Sequence, residues 1–336
     1  MTVTFIAHSA YLVEWDKFYT LFDYTYEPDY TGALPELNPE KPLLAFASHS
    51  HEDHFDAKVF TLLEKYPDTR FFVSRDTRLT ERKRQWLNIS DEAFARTTVL
   101  RPDSILLTDV AGEDLSIRAI KSTDIGNAYL LRAEGKMVYH GGDLNWWNWE
   151  SEGKAYCNNM TVHYHAAIEK LASAVRNEAT DNNIAPEITA AMAPLDPRLG
   201  EGSEGLGIEY LLKNVTVQHV FPMHMWKKYE VIDRYIAAHP DEKGIIAAGA
   251  VEDFAPLLAG ADAVVLGLYP HALVDWLRNN QKHLKPGALL TDVCGVKGAV
   301  VGPVQALLPP GVEFIACHPM AGREVGGVWN ADPAIF

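Results

Sequence analysis

Seven consecutive residues, Ser48-His49-Ser50-His51-Glu52-Asp53-His54, restrict this chain more than any other stretch. Four of them (His49, His51, Asp53 and His54) can each offer a metal-ligating atom. The apolar run at residues 43–47 reads as a short buried strand, and the motif begins directly at its end. Imidazole suits zinc, iron and manganese, and a carboxylate adds charge and can bridge two ions. Buried imidazoles and carboxylates need partners, so such a density is hard to reconcile with ordinary core packing. The competing reading is a solvated, histidine-rich turn.

Two later pieces favour a metal site. Gly141-Gly142-Asp143 follows the apolar stretch 136–139, where glycines allow close backbone approach and set Asp143 at a strand end. Pro222-Met223-His224 follows the strand-like stretch 217–221 and offers another strand-end imidazole. Taken alone, the first is an ordinary turn and the second a structural histidine. Together, His-x-His-x-Asp-His, then Gly-Asp, then a late strand-end His resembles the metallo-β-lactamase-fold hydrolases over about residues 1–240. The closest branch contains ascorbate-6-phosphate lactonase.

The resemblance implies a four-layer αββα sandwich with one or two divalent ions at one edge, between two sheets. His49 and His51 match ligands of the first ion, Asp53 and His54 those of the second. Asp143 matches the bridging carboxylate and His224 the last ligand of the second ion. The family usually supplies a third first-site histidine about twenty residues before the bridging aspartate. Here Asp124 stands nineteen positions before Asp143, with no histidine in 122–126. Either Asp124 replaces the imidazole, shifting preference from zinc toward manganese or iron, or the first site is weak. Such ions turn bound water into hydroxide near neutral pH and polarise the attacked oxygen, with Asp53 placed to orient that water. Asp23, Asp196 and Glu52 are candidates to fix the ligand imidazoles through their second nitrogens.

Other residues are less decisive. His8 either approaches the site or packs in the core. Trp146, in the tryptophan-rich run 146–149, forms a substrate-pocket wall or simply packs. Arg198 either faces an anionic substrate or closes a turn through Asp196. His163 and His165, two apart on an expected helix over 162–177, point to different faces and do not share a metal. That helix is expected to bury Ala166, Ile168, Leu171 and Val175. Gly200-Glu201-Gly202-Ser203-Glu204-Gly205 spells a dinucleotide fingerprint, but two glutamates would oppose a pyrophosphate, and no strand-end acid follows.

Around residues 240–243 the character changes. The last 94 residues hold 12 of the 23 glycines and alternate strand- and helix-like segments, as parallel βαβ units do. Thr291-Asp292-Val293-Cys294-Gly295-Val296-Lys297 and His318-Pro319-Met320-Ala321-Gly322-Arg323-Glu324 resemble prephenate dehydrogenase over about 243–336. That implies a truncated, Rossmann-like nucleotide-binding fragment. His318 would contact a ring hydroxyl, and Asp292 and Lys297 would lie on the NAD(P) side. The family's first strand, glycine-rich turn and ribose-binding acid should precede residue 243, where hydrolase-like sequence stands instead. NAD(P) binding is therefore not expected. The chain reads as a nearly complete hydrolase fused to a dehydrogenase fragment.

Net charge is −15, with no basic cluster longer than Glu81-Arg82-Lys83-Arg84, so nucleic acid is not an expected partner. The three cysteines form no disulfide framework, and no apolar run reaches the roughly 18 residues of a membrane span. A small-molecule substrate in a cytoplasmic setting is expected, with a homo-oligomer left open. Three functions compete. The first is a metal-dependent hydrolase using a metal-bound hydroxide on a small anionic ester, lactone or phosphoester. The others are a dehydrogenase of tyrosine biosynthesis and a non-catalytic metal-binding fusion.

Overall fold

Alternation along the strands explains the layers. A computed structural model describes residues 1–242, 244–246, 255–268 and 270–317. It divides into two units, Met1–Ala250 and Val251–Phe336. In the first unit, β1 (Thr2–Ala7), β2 (Ala10–Glu14), β3 (Tyr19–Phe22), β4 (Leu43–Ala47), β5 (Thr69–Ser74) and β6 (Thr97–Leu100) form one six-stranded sheet in that order. The first two pairings are antiparallel and the rest parallel. The second sheet runs β7 (Ile105–Val110), β8 (Glu113–Lys121), β9 (Asn127–Ala133), β10 (Lys136–His140), β11 (Glu187–Pro194) and β12 (Thr216–Met223). There too the antiparallel pairings come first, up to β10, and the parallel ones lie beyond it.

Strands buried on both faces read as unbroken apolar runs, and successive side chains go to opposite faces. In β4, Leu44 and Phe46 enter the core between the sheets, while Leu43, Ala45 and Ala47 face outward. In β9, Tyr129 and Leu131 point inward, and Ala128 and Leu130 point out. The outward face of the first sheet is covered by α1 (Leu62–Lys65), α2 (Glu81–Trp86), α3 (Asp91–Ala95) and their connections, through Phe60, Leu62, Leu79 and Ala93. The second is covered by α4 (Lys154–Asn182), α5 (Leu206–Asn214) and α6 (Glu230–Ala238), through Ile168, Leu171, Ile208 and Ile232. This is the αββα sandwich that the resemblance implies. Helix α4 is longer than expected, and its buried face takes Ala167 while Ala166 is exposed. Its buried Glu178 ties the helix to the second sheet, accepting from Ser116 Oγ at 2.7 Å, Arg118 Nε at 2.5 Å and Arg132 Nε at 3.2 Å.

The parallel strands of both sheets end at one edge, where the site residues sit. The turns Ala111–Gly112 and 134–135 lie at the opposite edge. All four of these residues have positive φ, between 50° and 73°. The Glu134 carboxylate accepts from the Asp16 and Lys17 amides in the β2–β3 turn.

The first unit runs past the expected boundary at 240. Ile246 is buried in its outer core and bridges to Val220 of β12. In the second unit, β13 (Ala263–Leu266), β14 (Leu289–Asp292) and β15 (Glu313–Ala316) form a parallel sheet in that order. Helix α7 (Ala255–Gly260) precedes the sheet, and α8 (Pro270–Asn280) and α9 (Lys297–Leu307) connect its strands. Leu273, Leu277, Val300 and Val304 bury one side of it, while Val265 and Ile315 stay more than half exposed. His318 and the motif after it lie outside the described residues.

Candidate metal centre

Each donor comes from a turn at the strand-end edge. His8 lies between β1 and β2, His49–His54 after β4, Asp143 after β10 and His224 after β12. His8, Asp23 and His224 all hold positive φ (47°, 46° and 64°), a conformation that costs a non-glycine residue energy and persists where surrounding structure enforces it. The His224 amide donates to the His8 carbonyl at 3.1 Å, tying the two turns together. Gly126 and Gly142 are required by crowding as well as by their φ of 75° and 51°. A Cβ on Gly126 would meet Ser48 O at 2.2 Å, and one on Gly142 would meet Ser48 Cβ at 2.6 Å. The histidine-rich loop is thus pressed into place by two glycines.

The donors gather in two clusters whose ligating atoms lie within 4.8 Å of one another: His8, Asp53, His54 and His224, and His49, His51 and Asp143. Asp143 spans them. Its Oδ1 is 3.1 Å from His54 Nε2 and 3.4 Å from His224 Nε2, and its Oδ2 is 3.4 Å from His49 Nε2. Asp53 Oδ2 is 3.2 Å from His8 Nε2, 3.5 Å from His54 Nε2 and 3.6 Å from His224 Nε2.

These atoms fit a divalent cation. His54 Nε2, His224 Nε2 and Asp143 Oδ1 are buried and make no hydrogen bond, a costly arrangement unless something shared lies between them. The separations match the edge of a tetrahedron around a metal with bonds of about 2.1 Å, which is roughly 3.4 Å. The far nitrogens are held by carboxylates. His54 Nδ1 lies 2.7 Å from Asp23 Oδ2, and His224 Nδ1 lies 2.8 Å from Asp196 Oδ2. Such pairs fix the imidazole so that Nε2 faces the cluster. Of the three expected supports, Asp23 and Asp196 serve, whereas Glu52 is exposed. Asp23 is fully occupied, also accepting from the Ser48 amide at 2.7 Å and hydroxyl at 2.6 Å.

Electrostatics follow from this packing. Burial would raise the carboxyl of Asp53, yet the imidazoles of His224, His54 and His8 around it hold it well below the usual range. Burial likewise opposes ionisation of Asp143, but the nearby imidazoles of His54 and His224 hold it low. Burial depresses His54, but the carboxylates of Asp143 and Asp23 outweigh it and raise the imidazole. Burial and the neighbouring His54 push His49 down to about 4.

A cleft of about 920 Å³ opens over the clusters, lined by Tyr30, His51, Asp124, Trp147, Trp149 and Arg198 among others. Arg198 closes the turn through Asp196 and also borders the cleft. Its guanidinium pairs with Asp196 (Nη2 to Oδ2 at 2.6 Å), lies 4.0 Å over the Trp226 ring and still lines the cleft. Two expectations need correction. Asp124 lines the cleft but belongs to neither donor cluster. Its carboxyl is raised by burial and by the charge of Asp143, with no imidazole hydrogen-bonded to it. Trp146 is not in the cleft. It packs on Tyr164, His165 and Tyr210 over the outer core, and Trp147 and Trp149 form the wall instead. His8 joins Asp53, His54 and His224 as a ligand candidate, a role that no sequence spacing signals. His163 lines the cleft while His165 stacks on Tyr210, so the two do diverge.

In the second unit, Asp292 and Lys297 form an ion pair. Both Asp292 oxygens lie 2.7 Å from Lys297 Nζ, and the carboxylate also accepts from the Cys294 and Cys317 amides. Among the described residues no helix is long and apolar enough to cross a membrane, and the three cysteines are free.

Comparison with known proteins adds two findings. The family model "Prephenate dehydrogenase, nucleotide-binding domain" matches residues 232–336, starting inside α6 of the first unit. No curated protein matches the chain. Similar solved structures include Igni18, a metallo hydrolase from Ignicoccus hospitalis, with 16% identity and a TM-score of 0.42, covering 73% of this chain and 93% of that one. An isothiocyanate hydrolase from Delia radicum gut bacteria has 12% identity and a TM-score of 0.41, covering 74% and 95%. CmlA, a diiron β-hydroxylase from Streptomyces venezuelae, has 11% identity and a TM-score of 0.43, covering 73% and 52%.

Proposed function

We propose that this chain is a metal-dependent hydrolase acting on a small anionic ester, lactone or phosphoester. The observation that carries the reading is the convergence of three buried, unpartnered donor atoms, His54 Nε2, His224 Nε2 and Asp143 Oδ1, where a carboxylate spans two donor clusters. His8, Asp53, His54 and His224 would hold one ion, and His49 and His51 a second, with Asp143 between them. Nitrogen and carboxylate donors suit zinc and also manganese or iron. Divalent ions bring Lewis acidity, which makes water nucleophilic near neutral pH and polarises a carbonyl or phosphoryl oxygen.

The chain's own groups do the rest. Asp23 and Asp196 keep the His54 and His224 rings oriented. Asp53, held as a carboxylate among three imidazoles, is the acceptor available to orient an attacking water. Arg198, fixed by Asp196 and stacked on Trp226, presents cationic charge to an anionic substrate in the cleft. The reading also implies a cytoplasmic protein with a small-molecule substrate.

Metal analysis of the purified full chain, followed by a metal-loaded screen across phosphoesters and lactones, tests it. At least one tight equivalent of metal and turnover abolished by chelator are expected. Less than one equivalent after growth in ample metal would refute the proposal. The dehydrogenase alternative, which the match at 232–336 favours, requires saturable micromolar NAD(P) binding. None is expected.

A further inference from the structure

His140, the last residue of β10, is fully buried and stands three positions before Asp143, yet it belongs to neither donor cluster. Its ring lies flat on Phe22, with centroids 4.8 Å apart and planes 5° from parallel. Both ring nitrogens meet backbone. Nε2 is 2.9 Å from the Ser9 carbonyl oxygen, and the Gly142 amide donates to Nδ1 at 3.2 Å. A carbonyl oxygen only accepts and an amide N–H only donates. Together the two contacts place the ring hydrogen on Nε2 and leave Nδ1 bare as an acceptor. A hydrogen on Nδ1 would instead face the Gly142 amide, and Asp23 Oδ2, at 3.8 Å, is too far to accept it.

These contacts join two turns of the strand-end edge. Ser9 follows His8 in the turn between β1 and β2, in the first sheet, and Gly142 precedes Asp143 in the turn after β10, in the second. The Asp143 turn has other ties. The Gly141 amide donates to the Met192 carbonyl at 2.8 Å, and Trp147 Nε1 donates to the Asp143 carbonyl at 2.9 Å. Met192 lies in β11 of the second sheet, whereas the tie through His140 crosses to the sheet whose turns carry His8, Asp53 and His54. Glycine has no Cβ to restrict its backbone, so the orientation of the Gly142 peptide depends on what its amide bonds to.

We propose that His140 is a positioning residue for the shared carboxylate: the Ser9 carbonyl fixes its tautomer, its bare Nδ1 holds the Gly142 amide, and the peptide so held aims Asp143 at the imidazoles of both clusters. This rests on the metal-dependent reading above and deepens it. Groups behind a ligand that fix its direction typically change metal affinity by about 10–100-fold when removed.

The full chain serves for every test. In metal-free wild type, long-range nitrogen–proton NMR correlations of the imidazoles should show the His140 hydrogen on Nε2 alone. A hydrogen on Nδ1 overturns the proposal. His140→Phe keeps a flat ring against Phe22 but removes both backbone contacts, whereas His140→Asn sets an amide oxygen near the place of Nδ1 and gives up the Ser9 contact. In competition against a chromogenic chelator, His140→Phe should lower metal affinity by about 10–100-fold and His140→Asn by no more than about three-fold. In the metal-loaded protein kcat should fall in the same order, with KM nearly constant. A merely structural role predicts a lower melting temperature with unchanged affinity, or a worse outcome for Asn, which leaves the larger void. Either result overturns the proposal. Should His140→Phe not fold, His140→Leu, close in shape to His140→Asn but without its amide, replaces it in the same comparison. Wild-type affinity in every variant overturns the positioning role and leaves the hydrolase reading intact. The expected order of affinities without turnover of any substrate sustains the role and refutes the hydrolase, and a wild type that takes up no metal refutes both.

Discussion

The two donor clusters are built to different standards. In the cluster of His8, Asp53, His54 and His224, two imidazoles are backed by buried carboxylates, Asp23 and Asp196, and two of the donor atoms are buried and unpartnered. In the cluster of His49, His51 and Asp143, His49 Nδ1 meets only the Ser48 hydroxyl at 2.9 Å, and His51 is exposed. His49 Nε2 lies 3.0 Å from His51 Nδ1, so these two donors satisfy each other in the absence of an ion. A ligand set oriented in advance loses little freedom on binding, whereas a set that must rearrange binds more weakly. On the proposed metal-dependent reading, the difference predicts one tight and one weaker site, with Asp143 available to both.

The sharpest way to break that comparison is Asp143→Asn. Removing the shared carboxylate charge should lower kcat/KM by about a thousand-fold or more, with the circular dichroism spectrum retained. Activity within ten-fold of wild type would mean that the clusters do not act together. Next comes metal content after exhaustive dialysis, read by plasma emission. His51→Ala should keep about one tight equivalent, while His54→Ala should lose it, with binding in either case assumed to follow ligand count. The reverse order would invert the comparison. Smaller is Asp196→Asn, which leaves all donors in place but loosens His224. Competition against a chromogenic chelator should show metal affinity lowered by about 10–100-fold. Smallest is Asp124→Asn, outside both clusters, which should leave metal content unchanged and alter KM by no more than about three-fold. Loss of a metal equivalent there would restore Asp124 as a ligand.

The local part of this site was legible in the sequence, because His49, His51, Asp53 and His54 fall on one loop after a strand whose apolar run is plain. The strand-end positions of Asp143 and His224 followed for the same reason. What stayed hidden depends on tertiary placement. For His8 the sequence left approach to the site and core packing both open, because it reaches Asp53 from 45 residues away through a left-handed turn that no periodicity marks. Trp146, Trp147 and Trp149 occupy irregular backbone, where neither a 2- nor a 3.6-residue period says which ring faces the cleft. The change of composition around 240–243 does not mark the end of the first unit, because Ile246 completes the core beside β12. The second unit's alternation of strands and helices was legible, since βαβ units are local.

The tight hairpin turns at Ala111–Gly112 and 134–135 stand at the edge away from every donor atom described. Loop tips of that kind accept inserted residues with little effect on the sandwich. They therefore offer attachment points for a fluorophore or a surface tether, so that metal uptake could be followed on immobilised molecules whose reactive face remains turned toward the solution.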